Sequence, residues 1–428
     1  MKSRFTRLRG MPDLTPAGIA PWQQLEAVVR QVMRAYSYEE LRTPLIERTS
    51  LFERSIGEAT DIVEKEMYTF KDRNDESLTL RPENTAGCVR AALENGLLQP
   101  GSVNRIWYTG PMFRYERPQL GRQRQFFQTG AEVYGLAGPA IEAELILLSA
   151  RLWRELGIFN AVQLEVNTLG DSEDRGRFRE QLVDYFQAHR QELDDDSLRR
   201  LERNPLRILD SKNPDMQTMI KAAPSLHGNL SSASAEHYAQ LLDLLSSQGI
   251  TVTENRRLVR GLDYYSHTVF EWTTDKLGAQ SAICAGGRYD GLLEQLGAKA
   301  MPGVGWAFGM ERVVALMDNL QQSPEAAVPD VFVIASNEVS SAESLLLAEH
   351  IRMLMPQASV LHNTGAGSLK SQFRKADKSG ARVTVVLGAD ELEQSTVSVK
   401  PMLKDEPQTT ISREALAGTL ERLLADSL

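Results

Sequence analysis

The sequence predicts an α+β domain built on an antiparallel sheet and carrying a helical insertion, followed by a smaller α/β domain. Three observations lead there. Two runs of strand character, NRIWYTGPMFRYE (104–116) and RQRQFFQTGAEVYG (122–135), flank a short polar loop, so antiparallel pairing is the natural outcome. The stretch 171–250 is highly charged and mostly helical, with breaks at Pro205, Pro214 and Pro224, and strand character resumes after it, which marks an insertion. From Asp330 onward strand and helix patterns alternate, after a polar, aperiodic segment QQSPEAAVP (321–329). The expected division is 1–322, a linker over 323–329, and 330–428.

The elements follow in order. An amphipathic helical pattern runs through PAGIAPWQQLEAVVRQVMRAYSY, and the proline-marked ELRTPLIE is extended before a helix in SLFERSIG. EMYTFKD and SLTLRP read as strands, with a helix beginning near Glu83. After the 104–135 pair come a helix at 139–156 and the strand VQLEVNTLG. Beyond the insertion, RRLVRGLDYYSHTVFEWTT and QSAICAGGR read as strands, and a helix follows the glycines of GVGWAFGMERVVALMDNL. The last domain reads VFVIAS (strand), a helix to about Met355, SVLHN (strand), a basic helix, VTVVLG (strand) and a terminal helix.

At 428 residues the chain exceeds what one core supports, and 42% hydrophobic with 25% charged residues is an ordinary globular composition. No apolar run reaches the roughly 20 residues that span a bilayer, so no membrane partner is expected. Cys88 and Cys284 are the two cysteines and lack a paired ligand spacing, which argues against a disulfide framework and against zinc, and favours a reducing, cytoplasmic compartment. MKSRFTRLRG is basic at the start but has no apolar core of a secretory signal. A net charge of −9 argues against a protein that coats nucleic acid with its whole surface, although basic tracks occur at 114–124 and 370–382.

The densest chemical signal is FRYERPQLGRQRQFFQ, in which Arg114, Arg117, Arg122 and Arg124 face one acid, Glu116. Guanidinium groups match phosphate, so the run suits a phosphoryl clamp, although a solvated hairpin would look similar. GVGWAFGMER sets Gly303, Gly305 and Gly309 before Glu311 and Arg312, and is neither a P-loop nor a dinucleotide fingerprint. RGLDYY (260–265), if extended, sends Arg260, Leu262 and Tyr264 to one face and Gly261, Asp263 and Tyr265 to the other, and AGGRYDG adds Tyr289. A buried Arg–Asp pair would also explain the first of these. Glu83 in TLRPENT and Glu132 in GAEVYG are further acceptors, each ordinary when taken singly.

Together, TLRPE, FRYERPQLGRQRQF, RGLDYY, AGGRYDGL and GMER closely resemble, in order and spacing, the histidyl-tRNA synthetase family of class II aminoacyl-tRNA synthetases. The resemblance covers nearly the whole chain: YSYEELRTPLIE with Pro44 is similar to motif 1, FRYE and its loop to motif 2, and GMER to motif 3. It implies a six-stranded antiparallel catalytic sheet, a C-terminal anticodon-binding α/β domain, a homodimer, and ATP, L-histidine and histidine tRNA as substrates, with Mg²⁺ bound to ATP. Residue by residue it implies Arg114, Glu116, Arg122, Phe126 and Arg312 for ATP, with Arg260, Arg114 and Gln128 around the reacting groups. For histidine it implies Glu83, Thr85, Gln128, Glu132, Arg260, Tyr264, Tyr265 and Tyr289. For tRNA, Gln119, Arg122 and Arg124 would meet the acceptor end, where an extra 5′ guanylate marks this family's tRNA. Lys370, Arg374 and Lys378, on one helical face beside Lys375, would meet the anticodon arm, though a solvated face fits the same spacing.

One departure is Phe127, where the family often has histidine. Adjacent strand residues face opposite ways, so a packing change is expected, and with all six histidines outside the matched motifs the substrate's phosphate oxygens become the expected proton acceptor in transfer to tRNA. A catalytically silent regulatory paralogue of the same fold would typically lack the anticodon domain, and a synthetase for another amino acid would lack RGLDYY with AGGRYDG.

Overall fold

The computed structural model describes residues 5–57, 60–119, 121–203, 205–209, 211, 213–259, 264–278, 282–325, 327–336, 339, 341–363, 367–403 and 406–425. The chain divides into two compact units, Met1–Pro324 and Glu325–Leu428.

The first unit runs α1 (Ala20–Ala35), β1 (Glu39–Glu40), β2 (Ile46–Arg48), α2 (Thr49–Ile56), β3 (Tyr68–Lys71), β4 (Ser77–Leu80), α3 (Thr85–Glu94), β5 (Asn104–Phe113), β6 (Gln125–Tyr134), α4 (Pro139–Glu155) and β7 (Gln163–Thr168). The insertion follows as α5 (Ser172–Ala188), α6 (Asp195–Arg203), α7 (Gln217–Ala222) and α8 (Ser232–Ser247). The chain then returns as β8 (Val252–Glu254), β9 (Ser266–Thr273), β10 (Ala282–Arg288), α9 (Asp290–Gln295), β11 (Gly303–Gly309) and α10 (Met310–Asn319). The large sheet has the order β1-β5-β6-β11-β10-β9-β7-β8. Its central six strands pair antiparallel throughout. The two short edge strands pair parallel, β1 with β5 and β8 with β7, so the sheet is mixed and wider than the six strands the resemblance implies. The edge strand β8 follows β7 after the helices of the insertion, which carry the chain back along the sheet, the ordinary route to a parallel neighbour.

Why these segments fold locally is visible in their spacing. Trp22, Leu25, Val29, Val32 and Met33 are buried three or four residues apart in α1, which starts with a proline in its first turn, where a missing N–H costs nothing. Asp171 caps α5 through a reciprocal box, its side chain accepting from Asp174 N–H at 2.8 Å. One face of the large sheet packs Trp306 and Phe308 with Trp22, Trp153 and Met317 of the long helices, and the opposite face packs Ile106, Tyr134 and Val269 with Phe178, Leu182 and Phe186 of the insertion.

The expected strand 256–274 is shorter in the structure. It begins only at Ser266, and Tyr264 and Tyr265 precede it. His267, at φ 46°, turns its backbone toward the end of β7, donating to Gly170 O at 2.8 Å and accepting from Leu169 N–H at 2.6 Å. The two tyrosines therefore do not alternate across a sheet.

A small sheet of order β2-β4-β3 stands apart from the large one. The second unit contains β12 (Val331–Ala335), α11 (Ser341–Leu354), β13 (Val360–His362), α12 (Leu369–Ser379), β14 (Val383–Leu387), α13 (Ala389–Glu393), β15 (Thr396–Pro401), β16 (Thr409–Ser412) and α14 (Leu416–Ala425), with sheet order β13-β12-β14-β15-β16. β13, β12 and β14 pair parallel, and the hairpin β15–β16 adds two antiparallel strands beside β14.

Candidate active site

Phe126, Gln128, Gly130 and Glu132 occupy alternate positions of β6 and therefore one face of it. Two different environments lie along that row.

At the Phe126 end a cavity of about 310 Å³ is lined by Arg114, Glu116, Arg122, Phe126, Gln128, Glu271, Glu311 and Arg312, with Gln123 and the β10 segment 282–285. Arg114 follows β5; its Nε donates to Pro82 O at 2.8 Å, and its guanidinium lies 5.3 Å from the Phe126 ring centre. Arg122 is ion-paired to Glu116 at 2.8 Å across the hairpin tip. Gln119 and Arg122 exchange backbone hydrogen bonds there, at 3.0 and 2.9 Å, and Gly121 takes the left-handed conformation (φ 68°) with its carbonyl accepting from Arg312 Nε at 3.2 Å. Burial, followed by the neighbouring charge of Arg122, lowers the affinity of Arg312 for its proton, so an anion beside these arginines is favoured. Gln128 Oε1 is buried with no hydrogen-bond partner among the described residues.

At the other end Glu132 is buried under a cluster of phenols. Its carboxylate accepts from Thr85 Oγ1 at 2.8 Å and from the Tyr289 hydroxyl. Burial pushes its pKa up to about 8 despite these hydrogen bonds. The space exists because Gly305 pairs with Glu132 across the ladder: a Cβ there would lie 1.7 Å from Glu132 Oε2. The rings of Tyr264 and Tyr265 lie 5.6 and 6.4 Å from that of Tyr289, so both tyrosines join one cluster. Glu83 sits at the start of α3, accepting Thr85 N–H at 2.7 Å and Ala86 N–H at 3.0 Å; burial still raises its pKa. A carboxylate there is stabilised by the helix N-terminus.

Two residues outside the expected site shape it. Beyond Gly309, where β11 ends, Glu311 takes over as acceptor for β6: its carboxylate oxygens lie 2.9 and 3.2 Å from Phe127 N, and burial pushes its pKa up to about 7. Phe127 turns away from the cavity and packs edge-on against Trp22 at 5.4 Å. Arg288, just before Tyr289, is buried against Glu142 of α4 and also reaches Asp290 at 3.1 Å and Gly138 O at 3.0 Å. Burial acts to raise the Glu142 pKa, but His237 and Arg288 outweigh it and the carboxyl titrates below its ordinary value.

The structure thus gathers Arg114, Glu116, Arg122, Phe126, Gln128 and Arg312 around the cavity, and Glu83, Thr85, Glu132, Tyr264, Tyr265 and Tyr289 into or beside the buried cluster. Arg260 lies outside the described residues. Gln119 is exposed at the hairpin tip, whereas Arg124 is stacked 3.8 Å over the Tyr115 ring with its Nε on Glu116 O at 3.2 Å. In the second unit Lys370, Arg374 and Lys378 are exposed on α12, opposite its buried Gln372 and Ala376. Glu271, Gln123 and Glu311 line the cavity without having been expected there; only the motif GMER carried a hint of the last. Among the described residues no cluster of three or more metal-ligating side chains occurs, and no helix is long and apolar enough to cross a membrane.

A family model described as histidyl-tRNA synthetase matches residues 10–313, and one described as an anticodon-binding domain matches residues 330–423. The chain is similar to apo histidyl-tRNA synthetase of S. aureus, at 33% identity over 98% of this chain and 100% of that one, with a TM-score of 0.82. It is similar in fold to histidyl-tRNA synthetase from Nostoc, at 19% identity, covering 98% of this chain and 100% of that one, with a TM-score of 0.68. An ATP phosphoribosyltransferase regulatory subunit/histidyl-tRNA synthetase from Bacillus halodurans shares the fold at 19% identity, covering 91% of this chain and 100% of that one, with a TM-score of 0.64.

Proposed function

The chain belongs to the histidyl-tRNA synthetase family, and on that premise we propose that it activates L-histidine with ATP and transfers it to the 3′-terminal adenosine of histidine tRNA. One observation carries the reading: a single face of β6 runs from an arginine-lined cavity to a buried acid ringed by hydroxyls. The first suits a nucleotide, the second a small ligand bearing N–H donors.

In the first step a carboxylate oxygen of histidine attacks the α-phosphorus of ATP, and diphosphate leaves on the opposite side. Arg114 holds the α-phosphate and Arg312 the outer phosphates; Phe126 stacks on adenine, whose amino group Glu116 accepts. Gln128, whose buried oxygen has no partner among the described residues, meets the amino acid between the two environments. Arg260 supplies fixed positive charge at the pentavalent phosphorus. Glu132 and Glu83, with Thr85, Tyr264, Tyr265 and Tyr289, form the histidine pocket, and an ionised Glu132 accepts an imidazole N–H. In the second step a ribose hydroxyl of the terminal adenosine attacks the acyl carbon and AMP leaves, taking the proton on a phosphate oxygen.

Mg²⁺ bound with ATP would neutralise phosphate charge, and Glu271, one of the carboxylates lining the cavity, would offer it an oxygen ligand. The hairpin tip, with Gln119 and Arg122, meets the tRNA acceptor end, and Lys370, Arg374 and Lys378 the anticodon arm. A homodimer is supported by the small sheet, where Ile46, Tyr68 and Leu80 align beside Phe70 and Leu78, leaving Ile46 and Phe70 more than 40% exposed. The two buried free cysteines suit the reducing cytoplasm. The test is diphosphate exchange into ATP across the common amino acids: exchange that depends on histidine alone supports the reading, and exchange with another amino acid, or with none, overturns it.

A further inference from the structure

The first residues of the described chain lie against the arginine hairpin. Gly10 O accepts both Arg124 N–H at 2.7 Å and Gln125 N–H at 3.1 Å, so the N-terminal segment is fastened to the point where the hairpin loop enters β6. Leu8 to Met11 forms a turn closed by Met11 N–H on Leu8 O at 3.2 Å, with Gly10 at φ 81°, the arrangement of a type II turn. Glycine is required there for a second reason, because a Cβ would lie 2.9 Å from both Arg124 Cγ and Pro118 Cγ. Arg9 is thereby fixed at the corner of the turn beside the hairpin.

The charges at this corner are unevenly used. Arg122 is paired with Glu116, Arg114 is tied to Pro82 O, and Arg124 is stacked on Tyr115. Arg7, Arg9 and Arg117 are exposed, and no described carboxylate forms an ion pair with any of them. Phe5 stands fully exposed two residues before Arg7. Unpaired guanidinium groups beside an exposed ring, on a chain of net charge −9, suit a strand of phosphates and bases better than a protein surface.

We propose that residues 5–11 form a strap that extends the RNA-binding surface of the hairpin, with Arg7 and Arg9 holding phosphates of the bound tRNA. This rests on the reading of the hairpin tip as the part of the site that meets tRNA. It moves the phosphate-holding task from Arg124, which buttresses the loop, to side chains on a segment distant in sequence from the catalytic motifs.

The test uses the full-length chain carrying Arg7→Gln and Arg9→Gln together. Binding of a histidine tRNA transcript, followed by fluorescence anisotropy over a salt series, should show a log–log slope flatter by about 1.4 to 1.8, the counterion release of two phosphate contacts. Aminoacylation kcat/KM should fall roughly tenfold, while histidine-dependent diphosphate exchange stays at the wild-type rate. Gly10→Val, which cannot keep the turn, should flatten the slope with both arginines present. Unchanged salt slopes in both variants, with unfolding midpoints equal to wild type, would overturn the strap. Because the binding slope does not depend on charging, it is read separately from the wild-type exchange assay that tests the histidine reading.

Discussion

Replacing Glu311 separates the worth of a charge from that of a hydrogen bond at the point where β11 stops supporting β6. Its carboxylate accepts Phe127 N–H, and burial holds its pKa at about 7 in place of 4.5. A carboxyl whose pKa is raised on folding gives its full stabilisation below its unfolded value and loses it as the pH climbs through the folded one. For 4.5 unfolded and about 7 folded, linkage puts the penalty under about 1 kcal/mol at pH 5 and at about 3 kcal/mol at pH 9. Glutamine keeps an acceptor of the same reach and carries no charge. Glu311→Gln should therefore match the wild type at pH 5 within about 1 kcal/mol and exceed it by about 2 to 3 kcal/mol at pH 9. Glu311→Ala leaves Phe127 N–H without an acceptor and should be weaker than Glu311→Gln at both pH values by about 1 to 3 kcal/mol. Urea unfolding followed by tryptophan fluorescence reads both, since Trp22 packs on Phe127. If the glutamine advantage does not grow between pH 5 and pH 9, or if alanine and glutamine behave alike, the assignment of Glu311 as a surrogate for a missing strand is wrong.

Other outcomes follow from the same geometry. Tyr289→Phe removes a donor to Glu132 and should raise the histidine KM about tenfold with little change in that for ATP, measured by diphosphate exchange; a matching rise for ATP would contradict the separation of the two environments. Arg288→Met leaves Glu142 without its buried cation and should cost about 3 to 5 kcal/mol in urea, most of it recovered by adding Glu142→Gln; no recovery would mean that Arg288 acts through packing. Phe70→Glu places a charge on the apolar face of the small sheet and should shift sedimentation from dimer to monomer, whereas an unchanged sedimentation coefficient would point to another dimer face.

Much of this was legible before folding because it rests on periodicity. The alternation that puts Phe126, Gln128 and Glu132 on one face of β6, and Phe127 on the other, needs only a strand assignment. The apolar repeat of α1 is equally local. What sequence left unreadable depends on where a ladder stops. RGLDYY looks extended, but of its residues only Tyr264 and Tyr265 are described and they precede β9, which starts at Ser266 where the His267 backbone bonds to the chain leaving β7, remote in sequence. The parallel edge strands β1 and β8 are two and three residues long, too short to carry a pattern. Glu311 is legible as part of GMER, but its bond to Phe127 crosses 184 residues. Arg124, expected to face RNA, has its guanidinium over the exposed Tyr115 ring and its Nε on Glu116 O, contacts that depend on how the hairpin closes.

The two ends of the β6 row also constrain what can occupy them together. Arg312 is made uncomfortable by burial and by Arg122, and Glu132 by burial, so each group carries a cost that a ligand of the right sign removes. An anion relieves the first and an N–H donor the second. Six residue steps separate Phe126 from Glu132, about 20 Å at the rise of a strand, which is long for a lone amino acid and suits one laid end to end with a nucleotide. Gln128 stands between them with a buried oxygen that has no partner among the described residues. A ligand that satisfied only one end would leave the other's cost in place, so a molecule that reaches both ends should bind more tightly than one that reaches either alone.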